Sequence, residues 1–238
     1  MIRRQDRLRA AAMALALLAA SGCATTATDP RDPFEGYNRA MYAVNEAVDE
    51  ALFKPVARAY KAVAPVPLRN MVRNFFSNLE DPFIGVNNML QGKFLDGWTD
   101  WARFIFNTVF GVLGINDVAS EMGLEKHNED FGQTFGRWGV GDGPYLVLPF
   151  FGPSTLRDAG GLVLDVTADP VSRHQPVDER NAATAASIVS RRADLLDASR
   201  LLDEAALDRY VFLRDAYLQR RRSLIYDGSP PREPRPVE

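Results

Sequence analysis

The chain has 238 residues, 46% of them hydrophobic and 25% charged, with a formal net charge of −3 and one cysteine. That length suits one domain with a sizeable core. The acidic balance leaves no nucleic-acid footprint, and a lone cysteine excludes an intramolecular disulfide framework.

Arg3, Arg4, Arg7 and Arg9 open the chain, and Ala10 to Ala20 is uncharged. The stretch has signal-peptide length, short of the roughly 20 residues a spanning helix needs. Ser21 and Gly22 lead into Cys23, and the cluster ASGC resembles the bacterial lipobox, with alanine in place of leucine three residues before the cysteine. The resemblance implies cleavage before Cys23 and lipidation of the new N-terminus; the alternative is an ordinary secreted protein with a leftover thiol. Several acyl chains at about 0.8 kcal/mol per buried CH₂ make a stable anchor. Ala24 follows rather than an inner-membrane retention aspartate, which favours the outer membrane. Losing the leader removes four arginines and one aspartate and takes the formal charge to −6.

Residues 24–34 are small, polar and proline-broken, and read as a tether. From Glu35, Tyr37, Met41, Val44, Val48 and Leu52 fall at helical spacing, with Pro55 expected to kink or end the helix before Val56, Tyr60 and Val63 continue the stripe. In LRNMVRNFFSNL, the apolar Leu68, Met71, Val72, Phe75, Phe76 and Leu79 share one arc. Arg69, Asn70, Arg73, Asn74, Ser77 and Asn78 share the other, and the helix is expected to stop near Asp81-Pro82. A shorter helix is expected in PFIGVNNMLQG.

The next segment, KFLDGWTDWARFIFNTVFGVLG, reverses the usual proportions. Asp96, Asp100, Arg103 and Asn107 form one narrow polar seam on an otherwise apolar helix. The centre of a protein core produces that pattern, and so does a membrane with the seam turned inward. The uncharged stretch from Phe104 to Ile115 measures about 18 Å as helix, against a hydrocarbon core of about 30 Å, so it does not span.

Residues 111–161 hold eleven of the seventeen glycines, which argues for turns and close backbone approach. YLVLPFF there (Tyr145, Leu146, Val147, Leu148, Pro149, Phe150, Phe151) reads as a hairpin-like apolar flap, or as a core plug. Gly139, Gly141, Gly143 and Gly152 are its expected hinges. Helical period returns from about Asn181 to Tyr226, as a helix or helix pair with a solvated face, and SPPREPRPVE ends the chain. Strand signals are otherwise nearly absent, so the fold class is all-α. The expected divisions are a leader at 1–22, an acylated tether at 23–34, a core at 35–175, C-terminal helices at 176–226 and a disordered tail at 227–238.

Convergent catalytic groups are not found. His127 and His174 lie in polar contexts, Ser154 lacks G-x-S-x-G spacing because Leu156 replaces the second glycine, and GVGDGP fails G-x-G-x-x-G at Pro144. Asp158, Asp165 and Asp169 do not make a calcium loop, and no zinc spacing occurs. The expectation is a non-enzyme without catalytic residues, metal or cofactor.

The motifs YNRAMYAVNEAVDEALFKPVARAY, NFFSNLEDP, NNMLQGKF, RFIFNTVFGVLGINDVAS and EDFGQTFGRWGVGDGPYLVLPFFGPSTLRDAGG resemble the MlaA (VacJ) family of outer-membrane lipoproteins across about residues 30–175. Beyond residue 176 the helical tail reads as this chain's own elaboration. The resemblance implies a ring-like bundle of amphipathic helices embedded in one membrane leaflet around a hydrophilic channel. It also implies removal of mislocalised phospholipid from the outer leaflet of the outer membrane. The implied partners are the bilayer, a trimeric porin and a soluble periplasmic lipid carrier of the MlaC type. On that picture Asp96, Asp100, Arg103, Asn107, Arg73 and Asn74 line the channel, with an Arg103–Asp100 pair inside it, and YLVLPFF contacts acyl chains. A lipoprotein adaptor that organises porins without moving lipid is the alternative.

Overall fold

The computed structural model describes residues 29–231, so the leader, Cys23 and residues 232–238 lie outside the described residues. Helices dominate. α1 (Glu35–Val48) runs through a π-helical turn (Asp49–Phe53) into α2 (Lys54–Val63) without interruption. Proline has no N–H and its ring crowds the carbonyl four residues back; a widened turn just before Pro55 relieves that crowding and carries the helix on.

α3 (Val66–Leu90) corrects the expected stop at Asp81-Pro82, because one helix passes straight through Pro82. An interior proline costs about 3 kcal/mol. Tertiary contacts offset it: α4 (Phe94–Val109) packs along this half of α3, burying Asn78, Asp81, Ile84, Gly85, Asn87 and Asn88. The two helices form a hairpin closed by Gly92 at φ 83°, with the Lys93 N–H on the Asn88 carbonyl at 2.9 Å. They approach so closely that a Cβ on Gly85 would lie 2.9 Å from the Gly97 carbonyl oxygen.

After the short α5 (Val118–Glu121) and α6 (Phe131–Arg137) comes the one sheet among the described residues, an antiparallel pair of β1 (Tyr145–Leu148) and β2 (Gly152–Thr155). Tyr145 faces Thr155 and Leu148 faces Gly152. Pro149 falls just beyond β1, in the turn, where it removes no ladder bond. α7 (Leu156–Ala168), α8 (Pro170–Arg173), α9 (Val177–Asp194), α10 (Leu196–Ala205) and α11 (Arg209–Ile225) complete the fold, three helices where one or two were expected after residue 176.

α11 fastens the segment before α1 and the start of α7. Tyr210, Arg214, Tyr217 and Arg221 recur at helical spacing on it. Tyr210 Oη donates to Asp32, Arg214 reaches Asp29 at 3.1 Å, and Tyr217 Oη donates to Asp158 at 2.7 Å. Residues 29–34 are therefore part of the fold and not free tether: Asp32 is fully buried and also accepts from Asn38 Nδ2 at 2.7 Å. The expected disordered tail is corrected likewise at its start, since Lys93 bonds Asp227 and Arg222 bonds the Pro231 carbonyl.

Asp165 on α7 is pushed up from 3.8 to about 6, chiefly by burial, although the Phe131 N–H donates to it. The unfolded chain releases this proton near 3.8 and the folded chain near 6, so its contribution to stability falls as pH rises through that window and stays low above it. Asp165→Asn keeps the acceptor for Phe131 and removes the buried charge. Denaturation of variant and parent is expected to show a gain of about 1–3 kcal/mol near neutral pH that vanishes near pH 4. An equal effect at both pH values would refute the assignment.

Candidate functional site

α4 is built inside out. Asp100, Arg103 and Asn107 are at most 3% exposed, whereas Phe94, Leu95, Trp98, Ile105 and Val109 are more than half exposed. The pattern extends over the molecule: among the described residues nineteen polar or charged residues are buried against nine apolar ones. A water-soluble fold has the opposite balance. The apolar surface continues past α4 into a loop where Val112 and Leu113 hold φ of 55° and 59° while remaining more than 60% exposed. Left-handed backbone is costly for a β-branched residue, so the surrounding contacts hold this loop in place. Those contacts are close: a Cβ on Gly111 would lie 2.1 Å from the Asn116 carbonyl oxygen.

The seam is closed around partners that sequence spacing did not name. Arg103 places Nη2 3.0 Å from both carboxylate oxygens of Asp117 and donates through Nη1 to the Leu124 carbonyl at 2.6 Å. The expected Arg103–Asp100 pair is corrected by this geometry, because the following loop offers the guanidinium a carboxylate at Nη2 and a carbonyl at Nη1. Asp117 also caps α5 through the Ser120 N–H and accepts from Asn107 Nδ2 at 3.0 Å. Burial works to raise its carboxyl, and the bonds from Ser120 and Asn107 with the charge of Arg103 bring it below the ordinary value. Asp100 accepts from Asn88 Nδ2 at 2.7 Å and lies 2.9 Å from His127 Nδ1; Asp96 stays at the rim, 3.9 Å from His127 Nε2. Asp81 closes the far side with Lys126, its carboxyl raised because burial outweighs Lys126 and Arg103.

Asn74 donates to the Ile115 carbonyl at 3.1 Å. Arg73 is half-exposed and lines an open cleft between α3 and α9. The structure thus gathers Arg103 and Asn107 around Asp117, holds Asp100 separately against Asn88 and His127, and leaves Arg73 on an open surface.

In the hairpin the apolar run divides by strand alternation. Tyr145 and Val147 are buried with Tyr210 as a core cluster, packed by Met41, Tyr42 and Leu218, while Leu146 and Leu148 are half-buried. Phe150 and Phe151 at the tip are 72% and 64% exposed. α1 docks the free edge of β1 through two asparagines one heptad apart. Asn38 donates to the Tyr145 carbonyl at 3.0 Å and accepts from the Val147 N–H at 2.8 Å, and Asn45 does the same for Leu148 and Phe150 at 2.9 and 2.8 Å. Sequence reading missed both; the signal was asparagine at i and i+7 on a helix whose other face is apolar. Of the four expected hinges, Gly139, Gly143 and Gly152 hold positive φ, while Gly141 has none of that constraint and no atom where a Cβ would stand.

A model of the MlaA lipoprotein family matches residues 30–224, so the helices beyond residue 176 belong to the shared pattern and are not an elaboration of this chain. The intermembrane phospholipid transport system lipoprotein MlaA of Shigella flexneri and that of Escherichia coli K12 are each 38% identical over 93% of this chain and 90% of their own. The MlaA lipoprotein of Haemophilus influenzae is 29% identical over 90% of this chain and 89% of its own. A solved structure concerned with maintenance of bacterial outer membrane lipid asymmetry superposes with a TM-score of 0.72 at 37% identity, covering 82% of this chain and 98% of that one.

Proposed function

Because the chain belongs to the MlaA lipoprotein family, we propose that it is the outer-membrane lipoprotein of an intermembrane phospholipid transport system, acting to maintain lipid asymmetry. The observation that carries the reading is the inverted helix α4, with a charged network inside and a girdle of Trp98, Ile105, Val109 and Phe110 outside. Large exposed apolar surfaces mark membrane or partner contact. No helix among the described residues is long and apolar enough to cross a membrane, so the girdle fits one leaflet, with Cys23 as the acylated anchor and the helices arranged as a ring in that leaflet.

In this reading phospholipid leaves the outer leaflet, passes the protein and is handed to a soluble periplasmic carrier of the MlaC type, with a trimeric porin beside it. The seam residues Asp100, Arg103 and Asn107 hold the apolar helices in register, and Arg73 and Asn74 lie closer to the lipid path. Asn38 and Asn45 pin the edge of the hairpin from Tyr145 to Phe150, so that the exposed Phe150 and Phe151 side chains contact acyl chains without a swing of the whole flap.

The test is outer-leaflet phospholipid in a strain lacking this chain, complemented with the parent or with Cys23→Ala. Surface phospholipid is expected to rise in the null strain, fall with the parent and stay high with Cys23→Ala. If it never changes, a porin-organising adaptor accounts for the chain better than a transporter does.

A further inference from the structure

A cleft opens between α3 and α9, lined by residues of both helices. It holds about 340 Å³. Each helix brings one cation and one anion to it. Arg73 of α3 lies 4.0 Å from Asp194 of α9, and Arg191 of α9 bonds Glu80 of α3. Phe76 and Leu195 give the cleft an apolar part, and Ser190 is buried at its wall.

Four charges in two crossed pairs are more than helix packing requires, because half-exposed ion pairs contribute little to stability. All four side chains keep 40% or more of their surface open, so a ligand can exchange for either pair at small cost. We propose that this cleft binds a zwitterionic phospholipid headgroup, phosphate on Arg73 and Arg191 and ammonium on Glu80 and Asp194, with the first carbons of the chains on Phe76 and Leu195. The proposal rests on the phospholipid-transport reading and adds selectivity to it.

A phosphate matches arginine forks through charge-assisted bonds. A headgroup that carries phosphate without an amine takes the arginines and leaves Glu80 and Asp194 unpaired beside the new negative charge. Selectivity of this kind comes as much from the penalty on the wrong ligand as from contact with the right one. The apolar part of the cleft distinguishes a lipid from a free phosphate-amine, since a chainless headgroup gains nothing from Phe76 and Leu195.

The experiment measures binding of dioctanoyl phosphatidylethanolamine and dioctanoyl phosphatidylglycerol to the purified full chain by native mass spectrometry, with glycerophosphoethanolamine as chainless competitor. The parent is expected to favour the ethanolamine lipid at least about threefold. The double variant Glu80→Gln/Asp194→Asn is expected to bind both lipids equally with unchanged circular dichroism, and Arg73→Gln/Arg191→Gln to weaken both. Equal binding by the parent overturns the proposal and leaves lipid transport standing; so does a preference that survives in Glu80→Gln/Asp194→Asn. Displacement by the chainless competitor at equal concentration reassigns the cleft to a soluble ligand and overturns the lipid assignment. If the parent binds neither lipid, the transport reading fails with it.

Discussion

Replacing Arg103 with leucine is expected to lower the unfolding free energy by about 3–5 kcal/mol, the range seen when one partner of a buried charge network is removed. Arg103 is 2% exposed, and its guanidinium serves Asp117, Ser120 and the Leu124 carbonyl at once, with Asp81 3.8 Å from Nε. Leucine fills the stem but leaves the Asp117 carboxylate without its cation and the Leu124 carbonyl without a donor. The loop from Asn116 to Lys126 then loses its charged attachment to α4 and keeps the bonds with Asn107. Arg103→Lys is expected to recover only part of the loss, since one ammonium does not serve Asp117 and the Leu124 carbonyl as the two ends of the guanidinium do. Urea unfolding in detergent, followed by the fluorescence of Trp98 and Trp101, measures it. A loss below about 1 kcal/mol, the level of an exposed pair, would show that water rather than Arg103 satisfies these groups.

Arg221→Leu is expected to cost a similar amount, about 3–5 kcal/mol, by a different route. Arg221 is 12% exposed and reaches Asp130 through Nη1 and Nη2 at 2.5 and 2.9 Å and Asp158 through Nε and Nη2 at 3.0 and 2.9 Å. Asp130 is the N-cap of α6 and Asp158 lies in the first turn of α7, so one guanidinium ties α11 to two helix starts. Burial works to raise both carboxyls, and Arg221, together with Gln133 at Asp130 and with Tyr217 and Arg157 at Asp158, more than reverses it, leaving both below the ordinary value. That sign means their stabilisation is complete above the ordinary carboxylate range and is lost as pH falls through the lowered folded values. The parent is therefore expected to lose stability with acid over that window and Arg221→Leu to lose much less. Hydrogen exchange is expected to rise in α11 first, and unchanged protection there would sink the idea that Arg221 holds it.

The helical periods between Glu35 and Phe110 were readable because an apolar arc every 3.6 residues needs no knowledge of the partner. The inverted helix was legible for the same reason: Asp100, Arg103 and Asn107 fall on one line whatever they touch. What they touch was not legible. Asp117 and His127 come from the loop after α4, and their arrival depends on that loop folding back, a long-range event that spacing does not encode. Pro82 misled in the same sense, since a local penalty of about 3 kcal/mol marks a helix end only until tertiary contacts exceed it. The hairpin was visible in outline, yet its division into a buried Tyr145–Val147 face and an exposed tip required the register against β2 and the two asparagines of α1.

The fastening of Asp29 and Asp32 to α11 also sets a length. Only five residues separate Cys23 from Asp29, and a chain spans at most about 3.3–3.6 Å per residue. With Cys23 acylated as proposed, the leash is no longer than about 20 Å, whatever path those residues take. The corner of the protein where Asp29 meets Arg31 and Arg214 is thus held within that radius of the lipid surface. A leash of this length cannot deliver a domain across the periplasm, but it fixes which end points at the bilayer and leaves mainly tilt and rotation free. Inserting about twenty glycine and serine residues after Ala24 would lengthen its reach while sparing the fold. If orientation at the membrane is what the short leash supplies, that insertion should weaken lipid removal while the protein remains anchored and folded.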